Sequence, residues 1–291
     1  MSTTTRKLTP SVSLLDETAD FKRTADYALY LTTGPGSFSF AILHKAQNKF
    51  VALESYNLQQ ALNPESLSKC LTDLIADHGL LSLPFEHVWV GYDSSRSTLV
   101  PEALFDAAQA STYIQFNHVS DPGDIVMTDT LTQLDARNIY LLPEAVKKAI
   151  LALYPKARFR HSSSALLESQ AIKYKNETKP KLVVHISLLH FEIILFEGKH
   201  LRFYNTFRHQ TSEDFMYYLL FVCEQLKLNP ENLELILIGE VEKNSAIYSM
   251  LYKYVRNIRF GDRPEAFTYC HPMKTLPGHF YTTLFSQPLF N

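Results

Sequence analysis

Two stretches of this chain have the same order of elements, and this repetition constrains the fold more than any other feature. The first stretch runs from Tyr27 to Gly91 and the second from Leu182 to Gly239. Each reads as strand, turn, strand, turn, strand, amphipathic helix and then a short apolar strand that ends in glycine. One unit of this size, present twice, predicts two similar lobes, because a solenoid needs three or more repeats.

The first copy begins with β-rich runs that predict strands over residues 28–31, 38–43 and 50–53. Asn63 then has the character of a helix N-cap, with Pro64 at the first helical position. The helix carries one apolar stripe of four residues, Leu67, Leu71, Leu74 and Ile75. A buried strand follows and ends at Gly91, so the first copy contains all the expected elements.

The second copy predicts strands over residues 182–186, 191–196 and 201–207, with Gly198–Lys199 as a two-residue turn between the last two. Thr211 and Asp214 form a variant of the capping box at the start of the next helix. An apolar strand then runs into Gly239. Both copies therefore combine an antiparallel meander, a helix and a buried strand.

The regions around the two copies add further elements. Strands are predicted over 124–131, 138–142 and 258–260, and helices near Pro143 and over 165–174 and 245–254. The chain then divides into an N-terminal extension (1–22), a first lobe (23–162) and a second lobe that includes a linking helix (163–291). This pattern predicts an α/β fold of two lobes, with mixed β-sheets flanked by helices.

Composition limits the class of protein. Hydrophobic residues make up 46% and charged residues 20% of the 291 residues, which suits a globular chain with two cores. No run approaches the roughly 18 apolar residues of a membrane span, and a net charge of −2 gives no nucleic-acid signal. Cys70, Cys223 and Cys270 form no disulfide framework, so we expect a cytoplasmic protein.

This order of elements resembles the superfamily of actin, the sugar kinases and the 70-kDa heat-shock chaperones. Within it the chain looks most similar to the actin-like proteins of bacterial cell division and pilus assembly, and it resembles a bacterial domain family of unknown function with this fold. The strongest local match is residues 184–199, which resemble the phosphate-loop hairpin of those proteins. The helix that begins at Ser163 resembles the segment that links their lobes. The resemblance implies a duplicated ribonuclease-H-like, or actin-like, fold.

In that superfamily, ATP and Mg²⁺ are held between the lobes by two hairpins of the form Asp-x-Gly followed by small or hydroxyl residues. The aspartate manages Mg²⁺ and water, and the glycine lets backbone N–H groups approach phosphate oxygens. Here His185 stands in place of the aspartate and Ser187 in place of the glycine, and Leu188 and Leu189 occupy the turn. The resemblance therefore implies an actin-like ATPase fold with a degenerate nucleotide site, in which ATP hydrolysis is not expected.

The first hairpin keeps small residues but has no acid before them. Thr33, Gly34, Gly36 and Ser37 could form an anion-binding nest, although a hairpin turn that needs its glycines for backbone geometry explains them as well. Further candidates for a ligand in the cleft are Ser187 and Gly239. A lone Gly-x-Gly is a common pattern and does not by itself identify a phosphate site.

Asp93 is the only candidate for a catalytic residue. It lies two residues after Gly91, where sugar kinases often place a base that takes a proton from a substrate hydroxyl. An Asp-Ser turn, in which the carboxylate bonds nearby backbone N–H groups, is the more common reason for such a residue. Both interpretations of Asp93 stay open at this point.

Five histidines raise the question of a metal site: His185, His190, His209, His271 and His279. None forms a short pairing such as His-x-x-x-His, and His185 lies among apolar residues, where a hydrogen-bonded core histidine is the usual finding. We therefore expect no metal. The aromatic tail from Phe280 to Phe290 is expected to pack on its own lobe rather than on a partner.

The leading hypothesis is a non-catalytic binding or scaffolding module of actin-like fold, without a cofactor. It would act through a protein partner or through self-association. The alternative is a nucleotide-binding protein or small-molecule kinase with a rewritten phosphate loop, which would bind ATP and Mg²⁺ and use Asp93 as its base.

Overall fold

The computed structural model describes residues 8–58 and 61–290. The strands are β1 (Val12–Leu15), β2 (Tyr27–Thr33), β3 (Ser37–His44), β4 (Lys49–Asn57), β5 (Val88–Tyr92), β6 (Ser97–Pro101), β7 (Asp124–Leu131), β8 (Ala136–Pro143), β9 (Arg158–His161), β10 (Lys181–Ile186), β11 (Phe191–Glu197), β12 (His200–Phe207), β13 (Glu234–Gly239), β14 (Asn257–Phe260) and β15 (Thr268–Tyr269). The helices are α1 (Pro64–Asp77), α2 (Ala110–Asn117), α3 (Glu144–Leu153), α4 (Ser162–Tyr174), α5 (Ser212–Gln225), α6 (Ala246–Tyr254) and α7 (Thr282–Ser286).

The strands form two large mixed sheets and one small antiparallel sheet. The first large sheet has the order β1-β4-β3-β2-β5-β9, the second has the order β12-β11-β10-β13-β14, and the small sheet has the order β6-β8-β7. In the first sheet β2 pairs antiparallel with β3 and parallel with β5. In the second sheet β10 pairs antiparallel with β11 and parallel with β13. The predicted α/β fold with two copies of one unit is confirmed.

The two helix N-caps that the sequence predicts are present in the structure. The Asn63 side chain accepts a hydrogen bond from the Ser66 backbone N–H at 2.9 Å and begins α1. Thr211 and Asp214 form a reciprocal capping box at the start of α5. Such caps satisfy backbone donors that have no partner inside the helix. These two helices therefore start at positions that their own side chains determine.

Each large sheet is covered by other elements on both faces. One face of the first sheet packs against α1 and α3, and its other face packs against the C-terminal segment that contains α7. One face of the second sheet packs against α5 and α6, and its other face packs against α4. Ten consecutive residues of α4, from Ser162 to Ala171, are buried. This burial explains why α4 has no clear polar stripe.

The tail follows a different path from the one that the sequence suggested. The sequence pattern places residues 163–291 in the second lobe, but β15 pairs with β4 of the first sheet. Phe285 of α7 packs edge-on against Phe50, with ring centroids 4.7 Å apart. The first sheet needs this cover, because Tyr30 and Phe50 on that face are buried apolar side chains.

The N-terminal region also gains structure that the sequence pattern did not indicate. Residues 1–7 of the predicted extension lie outside the described residues, but Val12–Leu15 forms the edge strand β1, antiparallel to β4. Short segments were missed elsewhere, namely β6 and α2. Strands and helices of this length carry too few residues to show a clear period.

Candidate functional site

The two hairpin turns that resemble phosphate loops are in direct contact. A Cβ atom placed on Gly36, in the turn after β2, would lie 2.9 Å from Cδ2 of Leu188, which belongs to the turn after β10. The side chain of Leu189 lies on the same glycine, at 3.3 Å from that Cβ position. A larger residue at position 36 would therefore overlap the leucines of the opposite lobe, and glycine fits because it has no side chain.

The backbone donors of these turns are used inside the turns themselves. The Gly34 N–H donates to the Ser37 carbonyl at 3.1 Å, and the Ser187 N–H donates to the His190 carbonyl at 2.9 Å. Gly34 also packs on the Asp93 carbonyl, so closely that a Cβ there would overlap it. An anion nest requires backbone N–H groups that point into open space. The N–H groups of Gly34 and Ser187 instead point at carbonyl oxygens of their own turns.

Asp93 lies at the junction of the two lobes, directly after β5. Its Oδ1 accepts a hydrogen bond from the Ser162 hydroxyl at 2.8 Å, and His190 Nε2 lies 3.6 Å from the same oxygen. The Asp93 N–H donates to the Thr33 carbonyl at 2.8 Å. The Asp93 side chain therefore connects the start of α4 with the second hairpin.

A buried chain of hydrogen bonds runs through His185, the residue at the position of the expected aspartate. His185 Nδ1 lies 2.8 Å from Glu192 Oε2, and His185 Nε2 lies 3.0 Å from Thr283 Oγ1. The second oxygen of Glu192 accepts a hydrogen bond from the Tyr204 hydroxyl at 2.8 Å. His185 and Glu192 are direct neighbours across β10 and β11.

The charges of this pair decide what the chain can do. Burial disfavours the His185 cation, but the hydrogen bond and negative charge of Glu192 outweigh burial and raise the pKa of His185 above its ordinary value. Burial acts against the Glu192 carboxylate too, but the His185 contact lowers the pKa of Glu192 to about 2. A protonated imidazole donates from both nitrogens, so the cationic form of His185 that Glu192 favours would donate to Thr283 rather than take its proton. The arrangement resembles a nucleophile–base–acid triad, but its buried hydrogen bonds connect β10, β11 and the C-terminal tail, as a structural link does.

The C-terminal tail fills the space behind the hairpins. The Gln287 amide donates to the Leu31 carbonyl at 2.8 Å and to the Thr32 hydroxyl at 3.0 Å. Arg160, which is 1% exposed, donates to the carbonyls of Gln287, at 2.9 Å, and Phe290. The Arg160 guanidinium also lies 3.8 Å from the centre of the Trp89 ring. These contacts fix the tail against the strand that leads into the first hairpin.

Gly239, at the end of β13, is also held by the tail. Its φ of +92° lies in the region that favours glycine, and its N–H donates to the His279 carbonyl at 2.9 Å. A Cβ at this position would overlap the Ile186 carbonyl. The close approach that requires a glycine here is therefore made by the protein's own backbone.

A cavity of about 400 Å³ lies beside the hairpins and is open to solvent. Nine of its lining residues carry hydroxyl groups: Ser11, Thr32, Ser37, Ser39, Ser55, Tyr56, Ser187, Tyr281 and Thr283. Asp93, His185, His209, Gly239 and Glu240 also reach it. Within residues 8–58 and 61–290, no group of three or more His, Cys, Asp or Glu side chains is arranged to hold a metal ion.

The structure brings part of the predicted site together. Asp93, Ser37, Ser187 and Gly239 line the cavity. Thr33 lies behind it as a fully buried side chain. Sequence reasoning did not select Glu192 and Glu240, nor the tail residues Thr283 and Gln287. A signal for Glu192 was present, because an acid inside an apolar strand requires a buried partner.

A model of the family described as "Protein of unknown function (DUF3822)" matches residues 16–258. The chain belongs to this family. A comparison with functionally curated proteins gives no match. No helix in the described part of the chain has the length and apolar character needed to cross a membrane.

Two solved structures identify the architecture of this DUF3822 member. A Bacteroides thetaiotaomicron protein with an actin-like ATPase fold and unknown function has a TM-score of 0.75 and 26% identity, and the match covers 84% of this chain and 93% of that chain. The PilM–PilN type IV pilus biogenesis complex has a TM-score of 0.57 and 13% identity, with coverage of 90% and 97%. The fold is thus actin-like, and the predicted resemblance is confirmed for both the superfamily and the family of unknown function.

Proposed function

We propose that this DUF3822 member is a non-catalytic binding module, which joins protein partners or further copies of itself and does not hydrolyse ATP. The contact between Leu188 and Gly36 carries this proposal. In the superfamily, phosphate groups lie between two glycine-containing turns. Here leucine side chains take up that space, and a phosphate group cannot share it with them.

The chemistry of the hairpins supports the same conclusion. An ATPase of this fold needs a carboxylate that manages Mg²⁺ and free backbone N–H groups that approach the phosphates. The imidazole of His185 stands where the carboxylate would be, and it is hydrogen-bonded to Glu192. The N–H groups of Gly34 and Ser187 are bonded within their turns. Both differences oppose phosphoryl transfer.

Binding of a partner is supported by exposed apolar side chains at the mouth of the cleft. Leu188 is 54% exposed and Leu189 is 38% exposed, although both lie on a turn that could have carried polar residues. The fold is compatible with such a role, since the structure that contains PilM is a complex with PilN. The free thiols Cys70, Cys223 and Cys270 suit a reducing cytoplasm as the site of action.

Isothermal titration with Mg-ATP, together with a phosphate-release assay, tests the proposal. We expect no saturable heat at micromolar ATP and no release of phosphate above the buffer rate. Micromolar binding accompanied by hydrolysis would refute the proposal. Sedimentation at increasing protein concentration measures the self-association part separately, because it does not depend on nucleotide.

A small-molecule kinase with a rewritten phosphate loop is the second candidate. It is favoured by one observation, that Asp93 reaches the cavity wall and keeps its second carboxylate oxygen available for a substrate hydroxyl. This candidate predicts that Asp93→Asn abolishes phosphoryl transfer, while the melting temperature stays nearly unchanged because asparagine can still accept the Ser162 bond. A panel of hydroxyl-bearing substrates that shows no phosphoryl transfer by the wild type removes this candidate.

A further inference from the structure

The charges around the cleft cavity are unbalanced. Asp93 and Glu240 both reach the cavity, and no lysine or arginine of the described residues lines it. His185 also lines the cavity, but its imidazole is already paired with Glu192 at 2.8 Å. Burial lowers the pKa of His209, the other histidine of the lining, so this ring is neutral near pH 7. The two carboxylates therefore give the cavity a negative field.

Glu240 is the less compensated of these two acids. Asp93 accepts a hydrogen bond from Ser162 and lies near His190, whereas no hydrogen bond or ion pair of the Glu240 side chain is present in the described part of the structure. Glu240 lines the cavity and is also exposed to solvent, so its carboxylate is accessible to a cation that arrives from outside. A cation that enters between Glu240 and Asp93 would relieve their repulsion.

We propose that the cavity binds a lysine or arginine side chain of a partner protein segment, with its charge between Asp93 and Glu240. The hydroxyl groups on the wall accept hydrogen bonds from an ammonium or guanidinium group without competing charge. Leu188 and Ile247, which also line the cavity, contact the apolar stem of such a side chain and its neighbours in the segment. This inference rests on the proposed function, because it specifies what part of a partner the module recognises.

Other classes of ligand fit the same cavity poorly. A phosphate or carboxylate group would meet two acids and no lysine or arginine of the described residues, and His185 is already paired with Glu192, so an anion is repelled. A metal ion held by a cage of protein ligands is not supported, since the described residues contain no group of three or more His, Cys, Asp or Glu side chains arranged to hold one. A long organic cation satisfies both the charge and the apolar rim.

Titration of the full chain with short peptides tests the inference. The probe is an acetylated and amidated peptide of sequence Ala-Ala-Leu-Lys-Leu-Ala-Ala, compared with versions that carry norleucine or glutamate in place of lysine. We expect the lysine peptide to bind about tenfold more tightly than the norleucine peptide, and the glutamate peptide to bind least. Glu240→Gln should remove the preference for lysine over norleucine, whereas the matched exposed control Glu224→Gln should leave it unchanged.

Several results would overturn the inference. The first is an equal affinity for all three peptides, and the second is no binding of any peptide up to millimolar concentration. The third is a preference for lysine over norleucine that survives in the double variant Glu240→Gln, Asp93→Asn. These failures are distinct from failure of the proposed function, which is measured by ATP hydrolysis and does not involve the peptides.

Discussion

The buried pair of His185 and Glu192 predicts an unusual dependence of stability on pH. Both side chains are almost fully buried, and their atoms lie 2.8 Å apart. We consider Glu192→Gln, which keeps the volume of the side chain and its ability to accept the Tyr204 hydroxyl bond. The substitution removes the charge that supports the His185 cation, so burial then holds the pKa of His185 below its ordinary value of 6.5.

The sign of the effect follows from the two pKa shifts. The lowered pKa of Glu192 contributes stability above its ordinary value of 4.5, and this contribution is lost as the pH falls towards about 2. The raised pKa of His185 contributes stability that is complete below 6.5 and is lost as the pH rises through the folded-state value. The pair therefore stabilises the wild type most between pH 4.5 and 6.5.

The expected magnitude comes from the burial of the pair. Removing one partner of a buried ion pair costs about 3–5 kcal/mol, and this is the expected difference in the free energy of unfolding near pH 5.5. As the pH rises through the raised pKa of His185, the histidine becomes neutral in the wild type as well, and the difference should shrink towards about 1 kcal/mol, the value of one hydrogen bond. Urea denaturation followed by circular dichroism, at four pH values from 5.5 to 9, measures both numbers.

The control is Glu197→Gln on the same strand. Glu197 pairs with Arg202 at 3.1 Å, but both side chains are more than half exposed. An exposed pair contributes about 1 kcal/mol or less, so this variant should unfold nearly like the wild type at every pH. A difference for Glu192→Gln that is constant from pH 5.5 to 9, or that grows with pH, would contradict a charged His185 in the folded protein.

Three further predictions concern stability. Gly239→Ala should lower the stability by more than about 2 kcal/mol in thermal melts, because a methyl group at this positive φ would overlap the Ile186 carbonyl. The control Gly79→Ala should melt like the wild type, since a Cβ at Gly79 has no atom within 4 Å. Thr211→Ala should cost about 1 kcal/mol in urea denaturation, and an unchanged midpoint would show that the capping box contributes nothing. Gln287→Ala removes two hydrogen bonds to β2 and should speed backbone hydrogen exchange in the tail. Equal exchange rates in the variant and the wild type would contradict the anchoring role of this amide.

Sequence reasoning predicted the repeated unit well, because its signals are local. Runs of β-branched and aromatic residues, the caps at Asn63 and Thr211, and the turn at Gly198 each act over a few residues. The same reasoning identified His185 as the residue at the position of the expected carboxylate, and the structure gives it a buried charge partner. Strands β1 and β6 were missed, since they have only four and five residues and their pairing partners lie far along the chain.

The candidate site was predictable only in part. Asp93, Ser187 and Gly239 could be selected because each lies at or directly after the end of a predicted strand, and the structure places all three at the cavity. Glu240 and Thr283 were not selected, since their importance depends on charge balance and on the path of the tail. A residue becomes part of a site through its neighbours in space, and the sequence pattern does not contain those distances.

The sequence by itself determined the order of elements, the helix starts and the loss of the phosphate-handling residues, because these follow from local propensity and residue type. Only the tertiary structure decided how the two hairpins meet and where the tail runs. Leu188 lies on Gly36 although the two residues belong to different lobes, and Thr283 bonds His185 across 98 residues of chain. Contacts between such distant residues arise from the packing of whole sheets, which no short window of the sequence records.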